Sequence, residues 1–132
     1  MSDQVARLLL RLLLGLLLLF HGISKLAHGL GPIPGLLSQH GMPAFVAYGV
    51  FLGEVLAPVL MILGWWTRLG AVLVVGNMVF ALGLVHTKQF FTLSPTGGWA
   101  LELQAFYFFV AIAILLLGAG RYSLGGAGGR WN

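Results

Sequence analysis

Long runs of apolar residues divide this chain into four segments, which are separated by short polar links or by links rich in glycine and proline. Each run is close to the roughly 20 residues that an α-helix needs to cross the hydrocarbon core of a bilayer. Strands are not predicted, because the runs are apolar on nearly every side rather than at alternate positions. The pattern predicts four transmembrane helices, at residues 8–26, 45–66, 69–86 and 99–119.

The links predict how these helices connect. The first and third links are rich in glycine and proline, which favour loops. The second link, around Thr67 and Arg68, is very short and therefore requires an antiparallel helical hairpin. We predict an all-α fold in which residues 1–122 form a single integral membrane four-helix bundle with antiparallel up-and-down topology. Residues 123–132 form a glycine-rich tail that we expect to be flexible.

Composition agrees with a membrane protein and limits the classes of function. Of the 132 residues, 59% are hydrophobic and only 8% are charged, whereas about 25% are charged in an average soluble domain. The net charge of +4 does not indicate nucleic-acid binding, because the basic residues flank apolar runs, where they suit contact with the lipid bilayer. The chain has no cysteine, which excludes thiolate metal sites and iron–sulfur clusters held by this chain. No metal site is predicted.

The basic residues also predict an orientation. They divide between the two predicted sides as Arg7, Arg11, Arg68, Arg121 and Arg130 against Lys25 and Lys88. The positive-inside rule places the arginine-rich side, and with it both termini, in the cytoplasm. The basic and apolar start resembles a secretory signal, but no small-x-small cleavage pattern follows it, so we expect a retained first span.

Ionisable residues inside the apolar runs are the candidates for function, because a charge at bilayer depth is costly unless it is paired or faces the bundle interior. Glu54, Lys25, Glu102 and His21 share the predicted outward half and form a candidate site for proton handling or ligand binding. Glu54 lies about nine residues, or roughly 14 Å, inside its span. Pro58 removes the amide hydrogen that would bond to the Glu54 carbonyl in an α-helix.

Structural roles for these charges remain open. Glu54 and Lys25 are equally compatible with a structural ion pair, and Glu102 is stabilised by the dipole of its helix without any further role. Arg11, Gly22 and Lys25 share one helical face, which predicts inward packing with close approach at the glycine. Snorkelling of both basic side chains to the interfaces is the alternative. In the third span, Asn77 is predicted to hydrogen-bond between helices.

Aromatic residues and histidines suggest what such a site would hold. The apolar part of a ligand pocket is predicted to contain Phe20, Phe51, Phe106 and Tyr107. His21 and His86 lie at similar depth on the first and third predicted spans, as ligation of haem by two histidines requires. Two histidines also match in depth by chance, so haem is the less favoured prediction.

Several short motifs resemble the DoxX family of small bacterial membrane proteins. The resembling segments, besides Arg11, are residues 20–26 (FHGISKL), 53–55 (GEV), 64–68 (GWWTR), 97–103 (GGWALEL) and 118–124 (GAGRYSL). The resemblance runs along nearly the whole chain, and the order and spacing of the motifs make it specific. The family positions carried over to this chain are Arg11, Gly22, Lys25, Glu54 and Glu102.

The resemblance implies a multi-pass protein of the bacterial cytoplasmic membrane that is associated with redox chemistry, since relatives include quinone-reducing oxidoreductase subunits and partners in oxidant defence. A quinone-linked or small-molecule-linked subunit is therefore the first functional hypothesis. Partners would be a redox protein or a second copy of the chain. The alternatives are a non-catalytic membrane scaffold whose buried charges are structural, a haem-binding protein and a small transporter component.

Overall fold

The structure is a computed structural model that describes residues 2–29, 31, 33–84, 93, 95, 97–98, 101–126 and 131–132. Within those residues the chain forms helices and no strand, which confirms the all-helical prediction. The helices are α1 (Ser2–His28), α2 (Ile33–Gln39), α3 (Phe45–Leu63), α4 (Thr67–Leu84) and α5 (Glu102–Leu117). α2 lies in the first link, where the sequence predicts only a loop.

Helix α3 changes its geometry along its length. Its first residues belong to a 3₁₀-helical segment, Ala44–Gly49. A π-helical turn follows at Leu52–Leu56, and the helix is regularly α-helical from Ala57 to Leu63. Pro58 falls in the first turn of the regular part, where proline is tolerated because its missing N–H has no partner inside that segment. Single π-helical turns of this kind are frequent at functional sites.

Helices α1, α3 and α4 approach one another closely at glycines. Gly15, in the middle of α1, packs against Ile62 near the end of α3, and Gly22, two turns later, packs against the π-helical turn earlier in α3. Gly70, near the start of α4, packs against Met61. The shared core lies between these helices and α5, and its largest fully buried apolar members include Leu14, Leu18, Met61, Val74 and Ile114.

Many large apolar side chains face outward, as a lipid environment requires. α1 and α3, at 27 and 19 residues, are long and apolar enough to cross a membrane. Thr67–Gly83 of α4 and Glu102–Leu117 of α5 are apolar but shorter. The helices are therefore those of a membrane protein by composition, while the number of spans and their topology stay predictions.

The end of the chain packs against the start of α4. The Thr67 N–H donates to Asn132 Oδ1 at 3.1 Å, and the Arg68 N–H donates to the Trp131 carbonyl at 2.7 Å. These bonds satisfy two amides of the first helical turn, which have no partner inside the helix. Asn132 is buried, so the tail that the sequence predicts to be flexible has a packed last residue; residues 127–130 lie outside the described part.

Candidate functional site

An ion pair joins α1 to the π-helical turn of α3. Lys25 Nζ lies 2.5 Å from Glu54 Oε2, and it is the one ion pair found between residues that the structure describes. The Glu54 side chain is only 7% exposed, whereas the Lys25 side chain is 29% exposed. The carboxylate is therefore enclosed, and the ammonium lies between it and the surface.

Gly22 makes this pairing sterically feasible. A Cβ at position 22 would lie 2.1 Å from the Glu54 carbonyl oxygen and 2.7 Å from its carbonyl carbon, distances that non-bonded atoms do not reach. Lys25 follows three residues later on the same face of α1, so the close crossing at the glycine brings the lysine over the Glu54 carboxylate. The geometry of the pair thus depends on the absence of a side chain one turn away.

The backbone at Glu54 adds a second oxygen to the site. In an α-helix its carbonyl would accept from residue 58, but that residue is proline and has no N–H. The carbonyl oxygen points toward α1 at Gly22. Glu54 therefore contributes a carboxylate that is paired with Lys25 and a carbonyl that faces Gly22 and has no donor at position 58.

Two further residues with polar groups, Tyr107 and His21, extend the site. Tyr107, on α5, is 6% exposed. The Tyr107 ring packs edge-to-face against the His21 ring, with ring centroids 6.0 Å apart and ring planes at 80°. His21 lies one turn before Lys25 on α1. We call His21, Lys25, Glu54 and Tyr107 the polar cluster.

The polar cluster combines groups suited to holding and moving protons. It contains an ammonium, a carboxylate, a phenol and an imidazole, which together offer several hydrogen-bond donors and acceptors. His21 is exposed, whereas Glu54 and Tyr107 are buried. The cluster therefore extends from the outside of the bundle to a carboxylate that is almost fully buried.

The other predicted site residues lie elsewhere. Glu102 is exposed at the start of α5, makes no ion pair with a described residue, and lines a shallow apolar groove together with Phe106. Phe20 and Phe106 are exposed, and Phe51 is half-buried against Tyr48. None of these contacts places them at the polar cluster, so their role in a pocket stays a prediction. His86 lies outside the described residues, and haem ligation is untested.

The residues predicted to be structural occupy closely packed positions. Arg11 is fully buried and donates to the carbonyls of Ala119 at 3.0 Å, Met61 at 2.8 Å and Tyr122. Its guanidinium therefore points into the protein and does not snorkel to the interface. Asn77 packs against Gly53, where any Cβ would meet the Asn77 side chain, and lines an apolar groove between α3 and α4.

Tyr107 is the member of the cluster whose burial beside His21 the sequence does not predict. It stands among phenylalanines in α5, where its aromatic character suggests only an apolar lining. The hydroxyl group was the feature that could have distinguished Tyr107 from the neighbouring phenylalanines, because a buried tyrosine usually has a polar partner. Which face of α5 turns inward is decided by packing, since apolar residues surround that helix on all sides.

Comparison with known proteins identifies the class and then the family. DoxX proteins are membrane proteins, and this chain belongs to the DoxX family, whose model matches residues 6–87. The chain is also 32% identical over 87 residues to a protein of Bacillus subtilis (strain 168) named "Putative oxidoreductase CatD". That match covers 66% of this chain and 64% of the relative's length. No solved structure matches.

Proposed function

We propose that this DoxX protein is a redox-associated membrane subunit that binds a quinone, or a small molecule of similar chemistry, at the polar cluster. The observation that carries the proposal is the buried Glu54 carboxylate, paired with Lys25 beside a proline-interrupted helical turn. An ionisable group at this depth in an apolar bundle is costly and is by default a candidate functional residue. The oxidoreductase name of the Bacillus relative supports a redox role.

Each cluster residue has a defined part in this proposal. The Lys25 ammonium and the Tyr107 hydroxyl are donors for a carbonyl oxygen of the ligand. Glu54 accepts or returns a proton as the ligand changes its redox state, since a carboxylate in an apolar site acts as a general acid or base. His21, at the exposed edge, connects the enclosed groups to the aqueous side. The redox change itself belongs to the ligand and its partner.

We further propose four spans in a bacterial cytoplasmic membrane, with the arginine-rich end inside. Arg7 and Arg68 lie at one end of the helices, and Lys25 lies toward the other. Because the chain has no cysteine, single-cysteine variants report one position each. An impermeant maleimide applied to intact spheroplasts should label Ser38→Cys, in the first link, and should label Ser2→Cys only after permeabilisation. Labelling of both in intact spheroplasts would refute this topology.

The binding proposal is tested with a matched pair of carboxylate variants. Glu54→Gln removes the charge while keeping the side-chain size, and Glu102→Gln makes the same change on an exposed carboxylate away from the cluster. We expect purified wild-type protein and the Glu102 variant to bind a soluble quinone analogue, measured by quenching of tryptophan fluorescence. The Glu54 variant should lose binding while it keeps its helical circular dichroism. Equal binding by a folded Glu54 variant would refute the proposal.

A non-catalytic scaffold is the second candidate, and the buried Arg11 network favours it. Arg11 joins α1 to α3 and to the segment after α5 through hydrogen bonds to carbonyl groups, and these bonds support a structural role for its buried charge. If the Lys25–Glu54 pair has the same purpose, Glu54→Gln should lower stability while no quinone binds to the wild type. Copurification of a redox protein or of a second tagged copy would then identify the partner, and an absorption spectrum tests for haem.

A further inference from the structure

No carboxylate forms an ion pair at the arginine-rich end within the described residues. The whole chain contains three acidic side chains, Asp3, Glu54 and Glu102. Glu54 is paired with Lys25, and Glu102 begins α5 at the opposite end of the bundle. Asp3 lies one turn before Arg7 on α1 but forms no ion pair with it.

The four described arginines at this end are Arg7, Arg11, Arg68 and Arg121. Arg11 is already satisfied by backbone carbonyls. Arg7 and Arg68 differ from it because each has a buried Nε atom with no hydrogen-bond acceptor in the described part of the chain. Arg7 uses Nη1 to donate to the Leu117 carbonyl at 2.5 Å, and the side chains of both residues are only partly covered.

Arg7 and Arg68 both pack against the glycine-containing turn that follows α5. A Cβ at Gly118 would lie 3.0 Å from Arg68 Nη2, and a Cβ at Gly120 would lie 3.1 Å from Arg7 Cδ. Glycine at these two positions leaves room for the two arginine side chains beside the turn. Behind them lies the buried charge of Arg11, which adds a fixed positive potential.

We propose that Arg7 and Arg68 bind the phosphate group of an anionic phospholipid at this turn. The planar guanidinium group presents parallel N–H donors that match two phosphate oxygens, and partial burial reduces the screening of its charge by solvent. Because the protein lies in a membrane, phospholipid headgroups are the available phosphates. Free inorganic phosphate offers the same chemistry and is separated from lipid by the test. The site is independent of the polar cluster and of any quinone.

The test measures the thermal unfolding midpoint of the full chain in neutral detergent, with phosphatidylglycerol, phosphatidylcholine or inorganic phosphate added. Phosphatidylglycerol should raise the midpoint, and phosphatidylcholine should not. The double variant Arg7→Gln, Arg68→Gln should lose most of that rise. Arg121→Gln, which removes an exposed charge from the same end, should retain it. Equal stabilisation by phosphatidylcholine, or a full rise with inorganic phosphate alone, would overturn the proposal.

Two further outcomes separate a defined site from diffuse attraction. If Arg121→Gln reduces the rise as much as the double variant does, the effect comes from overall charge and the site is refuted. If the double variant does not fold, Arg7→Lys with Arg68→Lys keeps both charges but removes the paired N–H donors. Native mass spectrometry should then show phosphatidylglycerol retained about tenfold more weakly than by the wild type. Equal retention would also refute the site.

Discussion

Gly22→Ala tests the close helix crossing on which the polar cluster depends. The added methyl group would lie 2.1 Å from the Glu54 carbonyl oxygen and 2.8 Å from Val55 Cγ2. Since ordinary carbon–oxygen contacts are above about 3 Å, α1 and α3 must separate by about 1 Å. Overpacking of this kind costs about 1–3 kcal/mol. The same movement would lengthen the contact between Lys25 and Glu54, which is 2.5 Å.

Gly76→Ala is the matched control, because it separates the effect of overpacking at the helix crossing from the general effect of replacing a helical glycine by alanine. A Cβ added at Gly76, in the middle of α4, would meet no neighbouring atom of the described residues within 4 Å. Gly76→Ala should therefore leave stability unchanged or raise it by up to about 1 kcal/mol. The free energy of unfolding is measured by circular dichroism during titration of detergent micelles with sodium dodecyl sulfate. We expect Gly22→Ala also to weaken quinone-analogue binding. A Gly22 variant within about 0.5 kcal/mol of the wild type would refute the crossing, since overpacking costs more than that.

Three further single variants and one double variant are measured by the same unfolding titration. Arg11→Lys should lower stability by about 3 kcal/mol, because one ammonium cannot replace the guanidinium bonds to several buried carbonyls and each unpaired carbonyl costs about 1–3 kcal/mol; an unchanged midpoint would contradict this. Gly64→Ala should lose more than about 1 kcal/mol, since residue 64 has φ +73° and its Cβ would lie 2.3 Å from Ser123 Cβ. Lys25→Met should lose about 3–5 kcal/mol by leaving the Glu54 carboxylate unpaired. Adding Glu54→Leu should restore most of that loss, and additive losses would argue against coupling.

Residues of α1 show how much of the site could be predicted from the sequence. The periodicity that groups Arg11, Gly22 and Lys25 on one face is local, because 3.6 residues per turn fixes which side chains align. The structure turns that face inward, with Arg11 and Gly22 buried. The cost of a charge in an apolar environment likewise singles out Glu54, since the residue type and its apolar neighbours are sufficient for that argument.

Helix boundaries and irregular turns were harder to predict from the sequence. α1 extends from Ser2 to His28, beyond the predicted 8–26. The prediction followed the apolar run alone, whereas the polar residues of the first turns are helical as well. The π-helical turn of α3 has no simple sequence signature apart from the nearby Pro58. α2 forms within a link that is rich in glycine and proline, where its burial of Leu37 against Ala47 provides the stabilisation that local propensity does not.

The sequence by itself determined that the chain is helical, strongly apolar and charged at a few positions, because composition and periodicity depend only on neighbouring residues. Only the tertiary structure decided which of those charges meet. Lys25 and Glu54 are 29 residues apart and pair because α1 crosses α3 at Gly22. Tyr107 packs against His21, one turn before Lys25, because one face of α5 turns toward α1, whereas Glu102 on the same helix is exposed. In a uniformly apolar helix no local pattern selects the inward face, so contacts between helices select it.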